Sequence, residues 1–407
     1  MKRIALVSPK YGTEMKTGPA RYARQLAERL VKRYEVDVLT TKAVDDATWR
    51  NWYVRDVESI RGVTVRRFSV ERERALNFEA YSQAYLEECR QDRRNLGVER
   101  VWMEKHGPYA PNCIDYIRRH KQDYDAILFV GCMHYLTVAG MAEAAEKAIL
   151  IPLLDGENPY LQFLTFEQLF TMPRAFIFLT DEERMFVRKY FKTQGIPCEV
   201  MGTGVNVPDE VDLPAFCHKY GIRGKYIVYV GRIDEEKDCP VLFHYFSEYQ
   251  RRNPRSGVKL ILMGEECCRI PEHDDIRSLG YVSEQDKFNG IAGAEVLVIP
   301  SQQENLPDAL LTAMAMGVPV LVNGACETLR LHCVKSNAGL YYQNFFEFEG
   351  ALTYLLTRED VHDEMARNAL RYILDNYEWD VILERFCRLI ETSVPPSVPL
   401  DRLPHPL

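Results

Sequence analysis

The stretch Tyr226-Ile-Val-Tyr-Val-Gly-Arg-Ile-Asp-Glu-Glu-Lys-Asp238 sets the reading of the fold. Residues 226–230 are apolar side chains in a row, bounded by Gly231. That is the pattern of a short strand buried on both faces, as in parallel sheets covered by helices. Arg232 and Lys237 fall on the strand-to-helix turn that follows, where the backbone N–H groups of a helix N-terminus also point. Two cations and free amides in one place suit a diphosphate. Plain surface ion pairing with Asp234, Glu235 and Glu236 is the alternative for the same string.

Working outward, apolar runs recur at 258–263, 276–282, 296–300 and 318–322, each followed by a helical or turn stretch. An earlier series lies at 3–8, 36–40, 63–70, 126–130, 148–154 and 175–179. Helical spacing separates most of them, as in 19–33 (Tyr22, Leu26, Leu30, Val31), 161–170 and 182–191. This alternation predicts doubly wound parallel sheets. A chain of 407 residues is too long for one core. The two series, joined around Met201-Gly-Thr-Gly-Val-Asn-Val-Pro208, therefore predict two Rossmann-like α/β domains facing a cleft, 1–205 and 206–377. Residues 71–110 break the rhythm with long charged helices, a further helix is expected at 378–393, and 394–407 is a proline-rich tail. Ligands of such sheets lie beyond the carboxyl ends of the strands, so the cleft is the expected site.

The composition, 46% hydrophobic and 27% charged, excludes a largely disordered chain, a collagen-like fibre and a small disulfide scaffold. No apolar run reaches the roughly 18–20 residues that span a bilayer, and the first residues lack a cleavable leader pattern. Eleven scattered cysteines without a CxxC pair or a His/Cys cluster read as reduced thiols, with no metal site, in a cytoplasmic protein. The net charge of −8 is uneven. Residues 1–205 carry 31 Lys and Arg against 28 Asp and Glu, the remaining 202 residues 20 against 31. An acidic chain is no nucleic-acid binder. Its more basic first half suits an anionic acceptor, a membrane surface, or merely solvated helix faces. The aromatic and basic stretch 49–74, with Trp49, Trp52 and several arginines, offers peripheral contact with lipid headgroups at the inner face of a membrane as a lesser reading.

Further on, Ile299-Pro-Ser-Gln-Gln-Glu-Asn-Leu-Pro-Asp-Ala-Leu-Leu-Thr-Ala-Met-Ala-Met-Gly-Val-Pro-Val320 repeats the first arrangement: strand, polar loop, then a helix beginning near Asn305 and Leu306. Glu304 in that loop either accepts from sugar hydroxyls, while the amides of Asn305 and Leu306 donate to phosphate, or simply complements the helix dipole.

The two strings together, in this order, resemble the retaining nucleotide-sugar glycosyltransferases of family 4, which have the GT-B fold. Met263-Gly-Glu265 is similar to that family's strand ending in Gly-Glu, and Leu279-Gly-Tyr-Val-Ser-Glu-Gln-Asp286 to its base-binding turn. Ala23-Arg-Gln-Leu-Ala-Glu-Arg-Leu30 resembles its first helix, and Tyr377-Glu-Trp379 the start of the helix that crosses back to complete the N-terminal domain. The resemblance covers nearly the whole chain. It implies that Arg232 and Lys237, beside Gly231, hold the donor diphosphate, that Glu304 contacts the sugar, and that the backbone at Tyr281 and Val282 reads the base. It also implies no cofactor and no metal. The co-substrate is a UDP- or GDP-sugar, and the acceptor a hydroxyl of a glycan, glycolipid intermediate or small metabolite.

Three positions depart from the family pattern. Thr312 stands where a second carboxylate holds the ribose, so one hydroxyl bond replaces a bidentate pair. In the first-domain loop, Lys16-Thr-Gly-Pro-Ala-Arg21, a single glycine, Gly18, survives to let backbone approach the donor, and Ala20 replaces a glutamate. His134 is the nearest candidate for the catalytic-region histidine; it polarises a sugar hydroxyl or is an ordinary partly buried histidine. Asp155 and Glu157, after a first-domain strand, are candidates for acceptor hydroxyls or unpartnered loop carboxylates. Thr312 and Ala20 also leave open a GT-B binding or scaffold protein with weak or no turnover.

Overall fold

In the computed structural model, strands β1 (Arg3–Val7), β2 (Glu35–Thr41), β3 (Val57–Ile60), β4 (Val63–Phe68), β5 (Ala126–Val130), β6 (Ala148–Ile151), β7 (Ala175–Phe178) and β8 (Cys198–Val200) form one sheet. Their order is β3-β4-β2-β1-β5-β6-β7-β8. Every pairing is parallel except β3 with β4. A second sheet is built from β9 (Tyr226–Val230), β10 (Lys259–Met263), β11 (Ile276–Ser278), β12 (Val296–Ile299), β13 (Val320–Asn323) and β14 (Gly339–Tyr342), ordered β11-β10-β9-β12-β13-β14 and parallel throughout. Numbered within its own unit, that order is 3-2-1-4-5-6, the doubly wound nucleotide-binding arrangement. The winding direction reverses between β1 and β5 in the first sheet and between β9 and β12 in the second. The described residues are 2–15, 18–154, 158–208, 210–304 and 307–393. The chain divides into Met1–Gly202 with Ile382–Leu407, and Thr203–Val381.

The apolar runs become central strands because both sheet faces are covered. In the second unit Val228, Ile261, Leu297 and Val320 pack with Phe216, Leu310 and Met314. Their neighbours in sequence, Ile227, Leu260, Leu262, Val298 and Leu321, pack on the opposite face with Leu242, Phe246 and Phe348. In the first unit Ile127, Phe129, Leu150, Phe176 and Phe178 meet Trp102, Phe163, Phe166 and Phe170. Each such side chain contributes on the order of 1.5–3 kcal/mol by leaving water.

Several expectations are corrected. The charged segment 71–110 forms two moderate helices, Phe78–Arg90 and Leu96–His106. Inside them Glu99 is fully buried and accepts from Tyr85 Oη (3.0 Å), the Leu164 amide (3.1 Å), and the amide and hydroxyl of Thr165 (2.7 and 2.8 Å). Its carboxylate thus serves orphan donors at the start of the helix Leu164–Leu169. The run at 276–282 stops as a strand at Ser278, because Gly280 turns the chain at φ +65°. β3 carries alternating exposed residues on a sheet edge, so it lacks an apolar run. It reverses into β4 through Arg61 and Gly62, both at positive φ, the two-residue turn that matches strand twist.

No disulfide joins any of the cysteines among the described residues. No helix among the described residues is long and apolar enough to cross a membrane. The lipid-facing reading of Trp49 fails on burial: its side chain has no exposed surface, and its indole donates to the His106 carbonyl at 2.7 Å. Trp52 alone of that pair is exposed.

Candidate active site

The second unit places its motif residues on the two loops that flank the β9/β12 reversal. After β9, Gly231 donates to the Met263 carbonyl at 3.0 Å. A Cβ on Gly264 would lie 1.7 Å from the Gly231 carbonyl oxygen, so only glycine fits where these two loops touch. Gly264 in turn donates to the Gly280 carbonyl at 2.9 Å. That bond carries the turn containing Tyr281, which is exposed, and Val282, which is half-buried, to the same end of the sheet.

Arg232 is held by its own loop. Its guanidinium pairs with Asp234 and Glu236, and its carbonyl accepts from Tyr229 Oη at 2.7 Å. Donating to the Asp234 carboxylate raises the already high Arg232 pKa. Asp234 is buried and also accepts the Lys237 amide at 2.8 Å. Asp238, left-handed at φ 54°, precedes the helix Cys239–Arg252 and accepts from the Gln302 amide at 3.1 Å, tying the first loop to the second. Across that tie Lys237 Nζ donates to Glu304 Oε1 at 2.7 Å. The two side chains keep 30% and 19% of their surface exposed, so a ligand can reach both. Burial first, with the Glu304 and Asp234 carboxylates and the Cys239 thiol nearby, drives the Tyr229 phenol far above its usual range, so it stays a neutral donor to the Arg232 carbonyl.

The structure therefore brings together Gly231, Arg232, Lys237 and Glu304, residues separated by up to 73 positions. Surface pairing of Arg232, the alternative raised by the sequence, is also present. Both cations are poised against carboxylates that an incoming anion would have to displace. Asn305 and Leu306 lie outside the described residues. The helix expected to begin there begins at Asp308, after Pro307. Thr312 is buried, and its hydroxyl donates to the Asp308 carbonyl at 2.6 Å, which leaves only lone pairs for a ligand. Sequence reading passed over Asp238 and the glycine at 264 as parts of this site. The signal for Asp238 was its place at the end of the loop, one residue before the helix.

In the first unit Gly18 opens the helix Gly18–Leu30 at φ +63°, with open space where a Cβ would point. Asp155 and Glu157 lie outside the described residues. His134 precedes the helix Tyr135–Ala144, its ring edge-on to Trp49 (5.6 Å between centroids) and to His106 (5.7 Å). Burial first, and the Lys10 charge second, lower its pKa to about 4, so the imidazole is neutral at pH 7. Its Nδ1 is buried without a hydrogen-bond partner among the described residues.

Comparison with known proteins defines the class. Residues 224–358, which include the loops of Arg232, Lys237 and Glu304, match the family model described as glycosyl transferases group 1. An uncharacterized glycosyltransferase of Methanocaldococcus jannaschii is 23% identical over 400 residues, 93% of this chain and 95% of that one. Among solved structures, sucrose-phosphate synthase from Thermosynechococcus elongatus superposes with a TM-score of 0.65 at 16% identity, covering 96% of this chain and 98% of that one. Anabaena HepE in complex with UDP and glucose gives 0.65 at 12% identity, covering 96% and 100%. The fold is that of the GT-B glycosyltransferases, two α/β domains with parallel sheets. The second unit thus carries a group 1 domain, and the chain is an enzyme, a glycosyltransferase.

Proposed function

We propose that this glycosyltransferase is a retaining, metal-independent enzyme of family 4. It moves a sugar from a UDP- or GDP-sugar to a hydroxyl of a glycan, glycolipid intermediate or small metabolite. The observation that carries the reading is the Lys237–Glu304 bond, which joins a diphosphate-type cation to a sugar-type carboxylate on the loops flanking the β9/β12 reversal. The complex of Anabaena HepE with UDP and glucose supports a nucleotide-sugar donor.

In this reading Arg232 and Lys237 neutralise the diphosphate as the glycosidic bond breaks, supplying the countercharge themselves. Glu304 exchanges Lys237 for a sugar hydroxyl, and Gly231 lets backbone lie close to the phosphates. Tyr281 and Val282 read the base through their backbone. The acceptor hydroxyl attacks from the face that the nucleotide leaves, its proton passes to the departing phosphate oxygen, and configuration is retained. Catalysis is then positioning and stabilisation of charge on the leaving group. Gly18, His134, Asp155 and Glu157 are assigned to the donor and acceptor sides of the first unit.

Calorimetric titration with UDP, GDP, ADP and TDP, each repeated on Arg232→Ala, tests this. One nucleotide binding at micromolar strength and lost in the variant supports the reading and fixes the base. If none binds, a binding or scaffold protein replaces it.

A further inference from the structure

Around Trp49 the first unit gathers a polar cluster of which only His134 has been given a part in the reaction above. Lys10 follows β1, Asp46 follows β2, Arg74 follows β4 and His134 follows β5. All four therefore stand beyond the carboxyl ends of neighbouring strands. Lys10 and His134 flank the β1/β5 reversal, where doubly wound sheets bind ligands. Lys10 Nζ lies 6.0 Å and Arg74 Cζ 5.8 Å from the centroid of the buried Trp49 ring, and His134 packs edge-on to the same indole.

Arg74 is the odd member. It is half-buried, and burial lowers its pKa. Its guanidinium hydrogen bonds are to His106, where Nε donates to the carbonyl at 3.3 Å and Nη2 lies 3.2 Å from Nδ1, and its Cζ also stands 5.0 Å from the centroid of the Phe78 ring. Since Arg only donates, that Nδ1 is an acceptor and His106 adds no negative charge. Asp45, Asp46 and Glu79 are close enough to favour its charge, yet no ion pair joins Arg74 to a described carboxylate. Lys10 already has a partner in Asp46 at 3.1 Å. A half-buried cation with no described carboxylate in contact is left undercompensated, and so is the orphaned Nδ1 of His134 near it.

We propose that Arg74, Lys10 and His134 form the binding site for a phosphate monoester carried by the acceptor. Donors from three separate loops suit a tetrahedral group with several oxygens. One planar carboxylate is satisfied by an arginine fork alone. Asp46, 67% exposed at its side chain, is left to accept from a hydroxyl of the molecule that bears the phosphate. Naming the ligand an acceptor rests on the glycosyltransferase reading above; the binding itself does not.

The test is titration of the full chain with inorganic phosphate, glucose, glucose 6-phosphate and vesicles containing phosphatidic acid. Each is repeated on Arg74→Gln and Lys10→Met, with UDP as a control for the second unit. Glucose 6-phosphate is expected to bind at least about tenfold more tightly than glucose, with the advantage lost in both variants and UDP affinity unchanged. Arg74-dependent binding of the vesicles alone also supports the site and makes the phosphate lipid-borne. The proposal is overturned if wild type shows no preference for any phosphate-bearing probe, or if both variants keep it. Should Arg74→Gln fail to fold, Lys10→Met decides alone. Loss of UDP binding with phosphate recognition intact would instead count against the donor reading.

Discussion

Lys237 Nζ and Glu304 Oε1 lie 2.7 Å apart, although 67 residues separate them in sequence. The pair is partly exposed, so it holds both side chains in place without locking them away from a ligand. Lys237→Met removes the cation from the diphosphate position. It should lower the rate of nucleotide-sugar cleavage by about 10²–10³-fold, the scale for losing one preorganised group at developing charge. Steady-state rates with the donor found by titration check this. A variant turning over at the wild-type rate shows that the diphosphate never reaches Lys237.

Arg232 has two carboxylate partners with opposite expected effects. Glu236 is 82% exposed at its side chain, and such a pair contributes about 0.2–1 kcal/mol. Glu236→Gln should therefore tighten nucleotide binding by up to about fivefold, because less competition remains at Arg232. Asp234 is buried and also holds the Lys237 amide, so Asp234→Asn should weaken binding by loosening both cations. Titration of the two variants side by side decides; equal effects would mean that Arg232 does not meet the ligand.

How far the sequence disclosed this arrangement depended on the range of the interactions. Strands β5, β9 and β12 are legible because burial on both faces demands unbroken apolar runs. Edge strands such as β3, whose residues alternate between exposed and half-buried, need no such run. Arg232, Lys237 and Glu304 were readable as types in motifs. Their meeting depends on the order β9-β12, which no local pattern encodes. Trp49 misled for a related reason: an aromatic among arginines reads as an interfacial residue until the fold buries it. Arg74 carried no signal at all, since its isolation from carboxylates is a property of packing.

Gly204 and Trp379 show the same dependence on packing. A Cβ at Gly204 would lie 2.3 Å from the Trp379 ring, whose Nε1 donates to Asn206 Oδ1 at 2.9 Å. Overpacking of this kind costs about 1–3 kcal/mol. Gly204→Ala should lower the thermal midpoint, and adding Trp379→Leu should recover part of the loss by making room. An unchanged midpoint in the single variant would show that the ring moves aside freely.

Glu183 gives the last expectation. Its buried carboxylate accepts the amides of Leu154 (2.9 Å) and Leu179 (2.8 Å), at the ends of β6 and β7. Burial outweighs these bonds and raises its pKa to about 7. Between the ordinary carboxylate range and pH 7 the folded state thus keeps a proton that the unfolded state has released. The contribution to stability is complete below the unfolded pKa and is lost as pH rises through about 7. His134 and His106, both lowered by burial, slope the other way, losing stability as pH falls below the ordinary histidine range. The wild-type curve mixes the two, so the difference from Glu183→Gln is the quantity to measure. From pH 5 to pH 8 denaturant unfolding should move in favour of the variant by roughly 2–3 kcal/mol. A flat difference would mean that the amides keep Glu183 ionised throughout, and that the loop leading to Asp155 is held by a charge rather than by a neutral acid.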